Sequence, residues 1–398
     1  MAPWLQIHAQ TNGKAAPCCM ASVHDGNEIG DLRENSNLIA IWNSENMKRL
    51  RLNMLNGAPS SICSNCYEYE KVGKFSERMQ YNQDYPDRFS RVSGTMKDGT
   101  VREFNIPIID IRFSNRCNYK CRICSSSFSS LLFEEEAKTG KHVFGTSKEI
   151  NAAANESVFL ESYQKLLPNV ERLHFAGGEP LIMDEHYQTL EYLLSIGKTD
   201  LRLSYNTNFS TLRYKKNYII DLWKKFKQVE VWASLDGMGE KGDYQRKGQR
   251  WKNIEENIST LQQELPQAFF GVNAAVSIFN VLHIPDFYQY MVESKFVRPD
   301  RMNLYLLFDP LYFNITNLTP SLKEKALKQF DHFNLNFLNT LSDSARIKNH
   351  IQAVINYMLS ENGTLQKEFT HWIKTIDALR GENFISIFPE LKEMMIES

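Results

Sequence analysis

The sequence of 398 residues predicts an α/β fold, a partial (β/α)6 TIM-like barrel with a small Cys-rich N-terminal domain and a helical C-terminal tail. Three observations predict it. Between residues 104 and 310, six short apolar runs alternate with longer helical stretches. Four of the seven cysteines lie before residue 67. After Pro320 the chain is composed of helix-forming segments.

The composition is that of an ordinary globular protein. Lysine plus arginine (46) nearly cancel aspartate plus glutamate (47), so nothing indicates a nucleic-acid partner. The first residues lack the pattern of a secretory signal, and no stretch is apolar for long enough to span a membrane, so we expect a cytoplasmic protein. An odd number of cysteines in close pairs and a triplet favours metal ligation over a disulfide framework.

Residues 1–85 are expected to form the Cys-rich domain, because turn-forming residues such as Asn12-Gly13 and Gly57-Ala58-Pro59 leave it little core of its own. A polar passage over residues 86–103 then predicts a linker or hairpin. The barrel follows at 104–310 and the helical region at 311–398. These boundaries divide the chain into three folded parts and one connection.

Short apolar runs bounded by turns predict the barrel strands, and apolar residues three or four apart predict the helices. The predicted strands cover residues 106–113, 172–176, 201–205, 229–235, 271–278 and 302–308. The predicted helices cover 186–196, 212–227 and 251–264 in the barrel, and 321–341 and 345–359 in the tail.

A cysteine triplet directly follows the first predicted barrel strand. Cys117, Cys121 and Cys124 therefore lie at the carboxyl end of a strand, where barrel active sites are built. Thiolates suit iron–sulfur clusters, and three of them leave one iron of a four-iron cluster without a protein ligand. Taken alone, the triplet also fits a zinc knuckle or buried cysteines.

A Gly-Gly-Glu-Pro turn follows the second predicted strand, and glycines let the backbone approach a ligand closely. In this order, the Cys-x3-Cys-x2-Cys spacing and the turn resemble the radical S-adenosylmethionine (SAM) superfamily over residues 104–310. The resemblance implies that SAM binds the open iron of a [4Fe-4S] cluster. It also implies reductive cleavage of SAM to a 5'-deoxyadenosyl radical, which abstracts a substrate hydrogen, with a reductant such as flavodoxin or ferredoxin. The turn residues implied to contact SAM are Gly177, Gly178, Glu179 and Pro180.

The same resemblance implies further SAM contacts at the ends of later strands, where an arginine can pair with the SAM carboxylate. Taken singly, each of these polar residues could equally be a turn former or a helix cap. They are Ser204, Asn206 and Asn208 on the third strand, Ser234 and Asp236 on the fourth, and Arg246, which is expected to open the next helix. Asn273 on the fifth strand is a weaker candidate. The catalytic acid or base stays unassigned, and His174 is interpreted as a core histidine.

The remaining cysteines are Cys18, Cys19, Cys63 and Cys66, enough to enclose a second cluster or a zinc ion. With Pro3-Trp4 they make residues 1–75 resemble a SPASM or twitch domain, which implies an auxiliary [4Fe-4S] cluster, with zinc as the alternative. In most relatives this domain follows the barrel, whereas here it precedes it. Relatives often have a cysteine just before the Pro-Trp pair; here Cys18 substitutes for it or the cluster keeps an open site.

The resemblance implies a radical SAM oxidoreductase or modifying enzyme that acts on a peptide or protein, with no membrane partner. Dehydrogenation or rearrangement of a small polar molecule, such as a sugar or nucleotide, is the alternative. A hypothesis from another class is a zinc-binding interaction protein without catalysis.

Overall fold

The computed structural model describes residues 1–23, 26–141, 143, 145–360 and 365–395. Its strands are β1 Gln6–Ala9, β2 Lys14–Ala16, β3 Gly30–Asp31, β4 Ile108–Ile111, β5 Lys120–Cys121, β6 Arg172–Phe175, β7 Arg202–Thr207, β8 Arg213–Tyr214, β9 Asn217–Tyr218, β10 Gln228–Ser234, β11 Arg246–Lys247, β12 Phe269–Val276 and β13 Met302–Leu306.

The α-helices are α1 Leu38–Ile41, α2 Glu45–Leu55, α3 Ser64–Lys71, α4 Glu77–Asp84, α5 Ser90–Ser93, α6 Phe133–Thr139, α7 Glu156–Leu166, α8 Asp184–Ser195, α9 Ile219–Trp223, α10 Gly239–Gln245, α11 Trp251–Glu264, α12 Ile284–Glu293, α13 Pro320–Asn336, α14 Ala345–Met358, α15 Gln366–Arg380 and α16 Phe384–Ile387. Short 3-10 helices cover Ala2–Trp4, Ser61–Cys63, Pro86–Phe89, Ser130–Leu132, Leu167–Asn169, Pro180–Ile182, Pro299–Arg301, Leu311–Phe313, Ile315–Asn317, Leu338–Thr340 and Pro389–Met394.

One sheet of nine strands organises the molecule, in the order β13-β12-β10-β7-β6-β4-β1-β2-β3. The six predicted barrel strands, β4, β6, β7, β10, β12 and β13, lie side by side in chain order, and every neighbouring pair among them is parallel. Helices α8, α11 and α12 separate successive strands along the chain. The predicted α/β class with a parallel sheet is confirmed.

The N-terminal segment contributes a strand to this same sheet. Strand β1 pairs in parallel with β4, with Gln6 opposite Ile108 and Ala9 opposite Ile111. Strands β2 and β3 continue the sheet in antiparallel fashion. The Cys-rich segment is thus hydrogen-bonded to the first barrel strand, which fixes its cysteine loops relative to the barrel.

The observed helices differ from the predicted ones at one place in the barrel. Helices α8 and α11 match the predictions, but the helix predicted over residues 212–227 is wrong. The chain forms the hairpin β8–β9 there, followed by the short helix α9. Lys215 adopts a left-handed conformation, φ 52°, in the turn, so a continuous helix cannot pass through it.

Alternating burial along the strands defines the two faces of the sheet. In β10, Val229, Val231 and Ala233 are buried in the core, while Glu230, Trp232 and Ser234 are half-buried on the opposite face. That second face is the barrel lumen, and its polar residues line an interior cavity of about 270 Å³. Among the described residues, every helix is too short or too polar to cross a lipid bilayer.

Candidate active site

The cysteine triplet lies in the loop that follows β4. Strand β5 within this loop pairs antiparallel with β11, which places Cys121 opposite Arg246. The amide of Cys124 donates to the carbonyl of Cys121 at 3.1 Å, and the amide of Tyr119 donates to the Cys117 Sγ at 3.5 Å. All three thiols are half-buried. The loop therefore presents its cysteines from a hydrogen-bonded backbone.

The thiols of the triplet influence one another electrostatically. Burial, followed by the charge of Cys121, raises the pKa of the Cys117 thiol to about 12. Burial likewise raises the pKa of Cys124, and the other two cysteines raise it further. These thiols are therefore protonated at neutral pH, and a bound metal would have to displace their protons.

The Gly-Gly turn rests directly against the cysteine loop. The Gly178 amide donates to the Ser114 carbonyl at 3.2 Å, and the Glu179 amide donates to the Arg116 carbonyl at 2.7 Å. A Cβ at Gly178 would lie 2.0 Å from the Arg116 oxygen, so only glycine allows this approach. Gly177, at φ 121°, also requires the freedom of glycine. The turn and the residue before Cys117 are thereby held together.

The carboxylate of Glu179 accepts hydrogen bonds from other residues of the protein. Its Oε1 accepts hydrogen bonds from the Thr207 hydroxyl at 2.6 Å and the Leu181 amide at 3.0 Å, and its Oε2 accepts from the Asn208 amide at 2.6 Å. Burial raises the pKa of this carboxyl to about 7. Pro180 begins the 3-10 helix that Glu179 caps. The side chain thus joins the turn after β6 to the end of β7.

Asn208 extends this connection to the cysteine loop. Its Nδ2 donates to the Asn118 Oδ1 at 2.8 Å, and Asn118 in turn donates to the Ser210 hydroxyl at 2.9 Å. Asn118 directly follows Cys117, and no local sequence pattern predicts its role. The ends of β4, β6 and β7 are therefore cross-linked around the triplet.

Asp236 and Arg246 form a buried ion pair beside the triplet. The Arg246 Nε lies 2.8 Å from the Asp236 Oδ2, and its Nη1 lies 3.8 Å from the Cys121 Sγ. Asp236 also accepts from the Ala275 amide at 2.9 Å. The expectation that Arg246 opens a helix is wrong, because it lies in β11 and the helix begins at Trp251. This pairing places a cationic group next to one thiol.

The remaining predicted residues lie along the lumen. The Ser204 hydroxyl contacts the His174 Nδ1 at 3.1 Å, and the Asn206 Oδ1 accepts from the Asn273 amide at 3.1 Å. Ser234 ends β10, opposite Asn273. His174 lines the lumen cavity, and burial lowers its pKa to about 4. Ser204, in the middle of its strand, lies below the carboxyl edge where the triplet is found.

The N-terminal cysteines lie on two segments. Cys18 and Cys19 follow β2, whereas Cys63 ends the 3-10 helix before α3 and Cys66 lies in the first turn of α3. Burial raises the pKa of all four thiols, and Cys66 and Cys63 both raise that of Cys18. Cys19 lines the lumen cavity. Within the described part of the chain, no group of three or more His, Cys, Asp or Glu side chains is arranged around a single metal ion.

Arg122 is a structural residue of the site that the sequence does not predict, although it lies between Cys121 and Cys124. Its Nη2 contacts Asp377 at 2.5 Å and Glu382 at 2.6 Å, and its guanidinium lies 3.6 Å above the Tyr244 ring. Both acidic partners come from the C-terminal region, so no local pattern could have revealed them. The tail therefore holds the cysteine loop from outside the barrel.

Residues 1–67 match the family model described as "SPASM: Iron-sulfur cluster-binding domain". No curated protein sequence matches the chain significantly.

Solved structures similar to the chain include anSMEcpe with bound AdoMet, at 21% identity, TM-score 0.40 and coverage of 57% of each chain. Streptococcus suis SuiB bound to S-adenosylmethionine matches at 13% identity, TM-score 0.41, over 77% of this chain and 64% of that one. SuiB bound to precursor peptide SuiA matches at 12% identity, TM-score 0.39, over 87% and 68%. The chain thus spans less than two thirds of the anSMEcpe structure. The family-model match over residues 1–67 confirms the predicted resemblance of the N-terminal segment to a SPASM domain.

Proposed function

We propose that the protein is a radical SAM enzyme that oxidatively modifies a peptide or protein. In this proposal Cys117, Cys121 and Cys124 hold a [4Fe-4S] cluster. The observation that carries it is the backbone contact between the cysteine loop and the Gly-Gly turn at the carboxyl edge of a parallel sheet. Ligand sites of parallel barrels are built at this edge.

The donor set fits such a cluster. Three thiols come from one loop, and Arg246 next to Cys121 offsets the negative charge that their ionisation creates. Three thiolate ligands leave one iron open to a small molecule. When bound there, SAM and the cluster supply one-electron cleavage of the sulfonium and hydrogen abstraction from a substrate.

The chain's own residues orient the ligand and exclude water. The Gly177-Gly178 turn is bonded to the backbone just before Cys117, so a ligand held by the turn lies next to the triplet. Glu179 keeps the turn in place through its three hydrogen bonds. Because its carboxylate is engaged in this way, we infer that the turn contacts SAM through its backbone and that Glu179 acts as a positioning residue.

The lumen supplies space for the substrate next to the N-terminal cysteine site. Its cavity reaches Cys19 at one side, and Asn206 and Asn273 also line it. We infer that a second cluster, held by the N-terminal cysteines, faces the substrate from that side and accepts the electron released in an oxidation. A flavodoxin or ferredoxin would supply the first electron to the triplet site.

The shape of the interior favours a peptide over a small molecule. The lumen cavity adjoins a second cavity of about 750 Å³, and the two share lining residues on α4, β13 and α14. Together they extend from the lumen to the surface, which suits an extended chain better than a compact metabolite. This supports peptide or protein modification as the reaction class.

The test is SAM cleavage by anaerobically purified, dithionite-reduced protein, measured as methionine and 5'-deoxyadenosine. We expect the wild-type protein to form both products, and Cys117→Ala, Cys121→Ala and Cys124→Ala to form neither. Cys66→Ala is the matched control, because it removes a thiol from the other site and should retain cleavage. Cleavage that survives loss of a triplet cysteine would contradict the proposal.

A further inference from the structure

The cavity of about 750 Å³ has a cluster of basic side chains on its wall. Lys74, Arg346 and His350 line it, between the N-terminal helices and β13. Lys74 is only 8% exposed, its ammonium donates to the Leu304 carbonyl, and it lies 4.9 Å from the centre of the Tyr305 ring. The cluster therefore places the buried Lys74 and the exposed Arg346 together at the approach to the lumen.

Among the described residues, no carboxylate forms an ion pair with Lys74 or Arg346. The nearby Glu70 is paired with Arg78 at 2.7 Å. Burial, followed by repulsion from Arg346, lowers the pKa of Lys74 to about 7. Burial and then Lys74 and Arg346 lower the pKa of His350 to about 3. His350 is therefore neutral at physiological pH, and the two like charges of Lys74 and Arg346, held together, favour the binding of an anion.

A ladder of amides positions Arg346. Its Nη2 donates to the Asn303 Oδ1 at 2.7 Å, Asn303 donates to the Asn273 Oδ1 at 2.9 Å, and Asn273 donates to the Asn206 Oδ1 at 3.1 Å. The ladder runs along the lumen face from the guanidinium towards β7. Arginine has five N–H donors, so most of them stay available at the cavity.

Among the acidic residues named in the two cavity linings, Glu77 is the one that lines both. Burial raises its pKa, and the charge that opposes this rise comes from Arg172 in the lumen. The cation that influences Glu77 most is therefore Arg172.

We propose that Lys74 and Arg346 bind a side-chain carboxylate, from an aspartate or glutamate of the peptide substrate, and thereby fix which residue enters the lumen. An arginine fork pairs bidentately with a carboxylate, and the lysine adds a second charge-assisted hydrogen bond. The inference rests on the proposed function, since it assigns the substrate class of that same lumen. It makes the substrate an acidic peptide.

The probe is a mixture of random hexapeptides, acetylated and amidated so that side chains carry the only charges. Immobilised full-length protein should retain peptides with Asp or Glu at one position roughly tenfold over those with Asn or Gln. Arg346→Gln, at an exposed position, and Lys74→Met should each abolish this preference. Lys348→Gln is the matched control on the same helix, since Lys348 bonds only Asn339 among the hydrogen bonds described, and should retain it.

Equal retention of acidic and amide peptides by the wild-type protein would overturn the inference, as would a preference unchanged in both variants or no retention at all. SAM cleavage is measured on the same wild-type preparation without peptide. Its absence would refute the proposed function, whereas cleavage without acidic preference would refute only the carboxylate site.

Discussion

Replacing Arg122 with glutamine tests how the C-terminal region supports the cysteine loop. The Arg122 side chain is 1% exposed, while its partners Asp377 and Glu382 are 12% and 13% exposed. Among the described residues, the substitution leaves the nearly buried Asp377 without a cationic partner, while Glu382 keeps only its contact with the exposed Lys247. Breaking a buried pair in this way costs about 3–5 kcal/mol. We expect Arg122→Gln to lower the free energy of unfolding by that amount.

Lys247→Gln is the matched control, because Lys247 contacts the same Glu382 at 2.7 Å but is 45% exposed. An exposed pair contributes at most about 1 kcal/mol. Urea unfolding of anaerobic protein, followed by circular dichroism, measures both variants. Because Arg122 lies between Cys121 and Cys124, iron content should also fall in Arg122→Gln and stay unchanged in Lys247→Gln. Equal unfolding midpoints for the two variants would refute the reasoning.

Two further predictions concern the Gly-Gly-Glu-Pro turn. Gly178→Ala should destabilise the protein by about 1–3 kcal/mol and reduce its iron content, because the new Cβ would lie 2.0 Å from the Arg116 oxygen. The control is Gly94→Ala, whose new Cβ has its nearest neighbour at 3.5 Å and which should have the melting temperature of the wild type. An equal loss of stability in both variants would contradict the role of the close contact at Gly178. The pKa of Glu179 is raised from 4.5 to about 7, so the folded protein favours the protonated side chain. The free energy of unfolding should therefore be highest below pH 4.5 and fall by up to about 3 kcal/mol as the pH rises to about 7. Glu179→Gln should remove that part of the pH dependence in urea midpoints at pH 5 and pH 8, and identical profiles for the two proteins would contradict it.

The parallel strands and the triplet loop could be predicted from the sequence because their signals are local. Each barrel strand is one apolar run between turns, and β12 is recognisable from residues 271–278 alone. Cys117, Cys121 and Cys124 lie within one loop, and Gly177 and Gly178 directly follow a strand. Such patterns do not depend on what the segment packs against.

The rest depends on residues far apart in the chain. Arg122 and Asp377 are separated by 255 positions, so their pairing leaves no local pattern. The pairing of β1 with β4 joins the Cys-rich segment to the barrel sheet, although its sequence predicts a domain of its own. The hairpin at residues 213–218 replaces part of the predicted helix because its apolar spacing also fits a helical period, and the left-handed backbone at Lys215 distinguishes the two.

The most direct test of the central claim is iron, sulfide and zinc content of protein purified without oxygen, for wild type, Cys121→Ala and Cys66→Ala. The account predicts about eight irons with matching sulfide in wild type, from two four-iron clusters, and about four in each variant. About four irons plus zinc in wild type would make the N-terminal site structural. Zinc alone, with no iron or sulfide, would contradict the proposed radical chemistry.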